Sequence, residues 1–90
     1  MKLKYSPRAL EDIERIRQYI SKENPSAAWV VASFIRRSIR SLEDFPFRGR
    51  ATEIHGVRRL AVTNYPYVVY YKPNEKFISI LYVRHTAQDH

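Results

Sequence analysis

The 90-residue sequence contains no cysteine. Disulfides, thiolate catalysis and cysteine-ligated zinc are therefore excluded, which agrees with a reducing compartment. Glycine occurs only twice and proline five times, so linkers must be few and short. No stretch approaches the ~20 apolar residues of a membrane span. Met1-Lys2-Leu3-Lys4-Tyr5 has no apolar run behind its charges, so no signal peptide is expected and the expected location is cytoplasmic. No His/Asp/Glu spacing points to a metal, and no cofactor is expected. Acidic residues are also scarce: 9 Asp and Glu face 16 Lys and Arg, for a net charge of +7.

Arginine supplies most of that excess, eleven against five lysines. Its planar fork suits carboxylates and phosphates, so the favoured partners are anionic: nucleic acid, a ribonucleoprotein or an acidic protein. At 44% hydrophobic residues the chain can still build a core, and its length sets one domain, residues 1–90.

Lys2 to Tyr5 alternate polar and apolar, which predicts a short strand. Ser6-Pro7 then opens a helix, with Ser6 as cap and Pro7 in the first helical position. Leu10, Ile13, Ile16 and Ile20 form its apolar stripe, with Glu11, Asp12, Glu14, Arg15 and Arg17 turned outward. Asn24-Pro25 repeats the start signal for a second helix to about Glu43. Ala28, Val31, Ala32, Ile35, Ile39 and Leu42 lie on one face, widened by Trp29 and Phe34. The short link Ser21 to Asn24 makes the pair an antiparallel hairpin. Phe45 to Arg50 is a loop. Val57–Thr63, Tyr67–Lys72 and Phe77–Val83 then read as three strands joined by hairpin-length turns.

The predicted fold is thus α+β, in the order β-α-α-β-β-β: a helical hairpin on one face of a mostly antiparallel four-stranded sheet. The last two strands are apolar or aromatic on both faces. Two helices cover one face, so the other is expected to be an open, tyrosine-rich surface for a partner.

Six segments in order resemble the RelE/ParE toxin superfamily: Tyr5-Ser6-Pro7-Arg8-Ala9-Leu10-Glu11-Asp12-Ile13, Asn24-Pro25-Ser26-Ala27-Ala28, Leu42 to Arg50, Gly56-Val57-Arg58-Arg59-Leu60, Tyr65 to Tyr71 and Ile80-Leu81-Tyr82-Val83-Arg84-His85. The resemblance implies the toxin of a type II toxin–antitoxin system, held inactive in a hetero-oligomer by a cognate antitoxin that wraps over it. One branch cleaves messenger RNA in the ribosome; the other, ParE-like, poisons DNA gyrase.

Metal-free RNA cleavage needs a base for the ribose hydroxyl, a cation for the phosphate and an acid for the leaving oxygen. The RelE-like branch places an arginine at the start of the third strand. Tyr67 stands there instead, and a tyrosine cannot stabilise phosphate as a cation does. That departure favours the gyrase-binding branch, so no catalytic residue is assigned. If the chain were a ribonuclease, Arg59, Arg84 and His85 would carry the chemistry. His55 in a loop and His90 at the last position are weaker candidates. Arg58 and Arg59 are strand neighbours and point to opposite faces; one is expected to pair with a core carboxylate. Arg48 and Arg50 flank Gly49 in a loop and could reach phosphate or acidic side chains. The candidate partner-binding set is Arg48, Arg50, Arg58, Arg59, Tyr67, Arg84 and His85.

Overall fold

The computed structural model describes residues 1–89; His90 lies outside them. Strand β1 (Lys2–Tyr5) leads into helix α1 (Pro7–Ser21) and helix α2 (Pro25–Arg40), which runs on into a short 3-10 turn (Ser41–Glu43). Strands β2 (Arg50–Ala51), β3 (Arg58–Ala61), β4 (Tyr67–Pro73) and β5 (Phe77–His85) follow, and a second 3-10 turn covers Thr86–Gln88. Both helices start as expected. The Ser6 and Asn24 side chains accept from Ala9 N–H at 3.0 Å and Ala27 N–H at 3.1 Å, with proline next in line. The Ser6 hydroxyl also donates to Leu81 O at 2.6 Å, which ties the start of α1 to β5.

The sheet has five strands in the order β1-β5-β4-β3-β2. Two features differ from expectation. The two-residue β2 pairs antiparallel with β3, Arg50 opposite Arg59, so the loop after α2 ends in an additional edge strand. And β1 pairs parallel with β5, making the sheet mixed. The apolar alternation of β1 specifies which face is buried, but not which strand lies alongside or in which direction.

Ile35, Ile39, Leu42, Val69, Tyr71, Ile78 and Ile80 meet in one core between hairpin and sheet. On α1 the buried stripe is rotated from the expected one. Ala9 and Ile13 are buried, Ile16 and Ile20 pack at the margin, and Leu10 stays exposed. Asp12, expected outside, is only 6% exposed. Its carboxylate accepts from the buried Val83 N–H at 3.0 Å, and that bond offsets the desolvation of the charge. Trp29 does not widen the core; it is 65% exposed.

A β-bulge sets the outer face. Tyr70 opposes Tyr82 but Tyr71 opposes Ile80, so Leu81 is the extra residue. Ile78 and Ile80 point into the core before it and Val83 after it. The frame shift accounts for much of the double-sided apolar appearance of β5. It turns Tyr82 and Arg84 outward.

The expected open face is largely covered by the chain itself. Tyr70 and Tyr82 stack with ring centroids 4.7 Å apart. The Arg8 and Arg84 guanidinium groups lie 4.6 and 4.8 Å from the Tyr82 ring. Asp89 folds back to bond Arg59 and Tyr70, and Val68 is fully buried. The large apolar side chains left exposed are elsewhere, among them Tyr19, Trp29, Val30, Phe45, Phe47 and Ile54.

Candidate functional site

The candidate residues fall in three places. Tyr67, Arg84 and His85 line a cleft of about 530 Å³ between α1 and the ends of β4 and β5, together with Arg8, Arg15 and Tyr19. Tyr67 and His85 are paired across the strands, and their rings meet edge to face at 5.2 Å. Burial, with a smaller contribution from Tyr19, raises the Tyr67 hydroxyl above its ordinary pKa. It is therefore uncharged near neutral pH and supplies neither a base nor a cation.

His85 also has a local role. It caps the final 3-10 turn, its Nδ1 accepting from Ala87 N–H at 3.0 Å. That bond places the ring proton of the neutral imidazole on Nε2. Arg84, its strand neighbour, leaves the strand on the other face; its guanidinium sits over Tyr82 and still borders the cleft.

Arg59 occupies the second place, on the outer face. Its Nε donates to Asp89 at 2.7 Å, and the Tyr70 hydroxyl donates to the other oxygen of that carboxylate. The Tyr70 hydrogen bond, then Arg59, hold the Asp89 carboxyl below the usual carboxylate range, and Asp89 in turn raises Arg59. An arginine tied to a carboxylate was expected, but the acid comes from the C-terminal turn rather than from the core.

The third place is the loop before β2. Phe45 and Phe47 are exposed, and the loop from Asp44 to Arg48 bounds an open cavity of about 590 Å³. Arg58 Nη1 donates to Gly49 O at 2.6 Å, and its guanidinium lies 5.0 Å from the Phe47 ring. Arg48 Nη1 donates to the Ser41 hydroxyl at 2.8 Å, while Arg50 is exposed. Gly49 N–H donates to the buried Tyr71 hydroxyl at 2.8 Å and fixes the loop to the core. Two exposed phenylalanine rings interleaved with three arginines have the composition enriched at protein–protein interfaces.

Sequence reasoning missed Asp12, Tyr70 and Asp89. A buried aspartate on an otherwise outward helical face carries no local signal, and the Asp89 contact spans 30 residues. Among the described residues no group of three or more His, Asp and Glu side chains could hold a metal ion. No helix there is long and apolar enough to cross a membrane.

A helical hairpin on a small mixed sheet, with arginines on several of its surfaces, defines a compact basic α+β domain. The family model described as "ParE toxin of type II toxin-antitoxin system, parDE" matches residues 3–90. The chain belongs to this ParE toxin family, within the RelE/ParE superfamily. The Y4kP protein of Sinorhizobium fredii is 31% identical over 87 residues, covering 97% of this chain and 90% of its own. Toxin RelE2 of Caulobacter vibrioides is 36% identical over 81 residues, covering 90% of each chain. A solved structure of the chromosomal ParDE TA system from P. aeruginosa superimposes with a TM-score of 0.86 at 25% identity, covering 94% of this chain and 95% of that one.

Proposed function

We propose that this ParE-family toxin arrests growth by binding DNA gyrase and is neutralised in a hetero-oligomer by a cognate antitoxin. One observation carries the choice of target: the groups that RNA cleavage would require do not converge as free groups, because Arg59 lies outside the cleft and those inside it are already engaged. Tyr67 stands uncharged at the strand position where the RelE-like branch carries a phosphate-stabilising arginine. Arg59 is occupied by Asp89 on the outer face. Arg84 and His85 both line the cleft, but the Arg84 guanidinium is stacked on Tyr82 and His85 Nδ1 is engaged as a cap. Losing one charge-assisted contact to a transition state typically lowers a rate ~100- to 1000-fold. A binding inhibitor needs no such convergence. Its contacts fall to the exposed arginines and aromatics: Arg48, Arg50 and Arg58 at the loop, Tyr67, Arg84 and His85 at the cleft, and Arg59 once released from Asp89.

The resemblance to toxin RelE2 and the basic cleft beside His85 favour a second reading, a ribosome-dependent messenger RNA endonuclease. Two assays separate the readings. Purified protein should inhibit gyrase supercoiling and leave a defined messenger RNA intact on translating ribosomes. Codon-phased cuts that disappear in His85→Ala would reverse the assignment.

A further inference from the structure

The outward face of α2 has no part in that reading. From Pro25 to Leu42 the sequence has three arginines and no acid. Arg36, Arg37 and Arg40 are all exposed, and none of them forms a salt bridge among the described residues. With Trp29, Ala32 and Ser33 they line a cleft of about 330 Å³. Trp29 is exposed although it is among the largest apolar side chains of the chain. It is nevertheless held in place. The Arg17 guanidinium lies 4.9 Å from its ring, and Arg17 is itself paired with Glu14. Glu14 is the α1 acid whose field reaches Arg36, and its bonds to Arg17 and Gln18 already engage it.

We propose that this cleft binds single-stranded nucleic acid, with one base stacked on Trp29 and the flanking phosphates on Arg36, Arg37 and Arg40. An aromatic platform beside a row of cations is the minimal equipment for sequence-tolerant single-strand binding. Arg36 and Arg40 are one turn apart, about 6 Å along the helix, comparable with successive phosphates on a strand. The small Ala32 and Ser33 side chains let a backbone approach the helix. An acidic peptide could pair with the guanidinium groups, but its carboxylates would leave the face of the Trp29 ring without a stacking partner. A closed duplex would present no base face to Trp29.

Trp29 is the only tryptophan, so its fluorescence reports on the site directly. Titrating the full chain at low salt with an oligothymidylate of about 12 nucleotides should quench that fluorescence. Anisotropy of the labelled oligonucleotide should then weaken ~5- to 150-fold in Trp29→Ala and much less in Trp29→Phe, which retains a ring. Replacing Arg36 and Arg40 together by alanine should flatten the slope of log K against log salt by about 1.4, at ~0.7 per phosphate contact. The charge-matched control, Lys22→Ala with Lys76→Ala, should leave affinity within about twofold. The proposal is overturned if the oligonucleotide does not bind at low salt, or if binding ignores Trp29→Ala and the arginine pair. It is also overturned if a polyglutamate peptide binds with the same residue dependence, which would make an acidic protein the occupant.

Discussion

Gly49 is constrained by two residues that cannot move easily. A Cβ at this position would lie 2.8 Å from the Arg59 carbonyl oxygen and 2.8 Å from Tyr71 Cε1 and hydroxyl. Arg59 contributes backbone, and Tyr71 is fully buried. Gly49→Ala should therefore cost about 1–3 kcal/mol, the usual scale of overpacking, read as a lower denaturant midpoint with unchanged slope. Tyr71→Phe should cost a similar ~1–3 kcal/mol for a different reason, because it leaves the Gly49 N–H buried without an acceptor. Asp12 makes the corresponding contact for α1. Asp12→Ala strands the Val83 N–H and should destabilise by about 1.5–3 kcal/mol, the range for hydrogen bonds to charged groups. An Asp12→Ala melt that overlays the wild type would mean that water replaces the carboxylate at Val83.

At the scale of elements, legibility followed periodicity. Helix α2 was readable because Ala28, Val31, Ala32, Ile35 and Ile39 repeat at helical spacing, and all are buried. The hairpin β4–β5 was readable from apolar content and a short turn. The parallel partner of β1 was not, because that pairing joins residues distant in sequence; the bulge at Leu81 and the two-residue β2 were not, because each is set by local pairing geometry that leaves no periodic signal. The C-terminal turn belongs with these. Among the described residues its side-chain tie to the outer sheet face is through Asp89, whose pKa is lowered by Tyr70 and Arg59. A lowered carboxyl contributes stability above its unfolded pKa of about 3.9 and loses it as pH falls through the folded value. The turn should thus hold at neutral pH and detach in acid below about pH 4. Hydrogen exchange at Thr86, which donates to Pro66 O at 2.8 Å, should lose protection there before the β4–β5 amides do. Asp89→Asn should remove that acid step; protection that stays flat from neutral to strongly acidic pH in the wild type would show that Asp89 is not the anchor.

For the whole molecule, the placement of charge matters more than its sum. The body is only 40 × 27 × 23 Å, yet its arginines occupy distinct faces: the loop before β2, the cleft beside α1, the outer sheet and the back of α2. Exposed cations of this kind contribute little to folding, and surface substitutions usually stay within ~0.5 kcal/mol. Their effect falls on encounter with an anionic partner, which a basic face accelerates and salt screens within about 8–10 Å. Binding and stability should therefore separate at Arg48 and Arg50. Arg48 makes one exposed hydrogen bond to Ser41 and Arg50 is exposed on an edge strand. Changing both to glutamate should leave the thermal midpoint within about 2–4 °C of wild type. It should lower the association rate with gyrase severalfold at low salt, and the deficit should shrink as ionic strength rises. Stopped-flow association measured across a salt series makes the distinction. An equal deficit at every salt concentration would assign these arginines to short-range contact, and no deficit at any concentration would remove the loop from the proposed gyrase-binding surface.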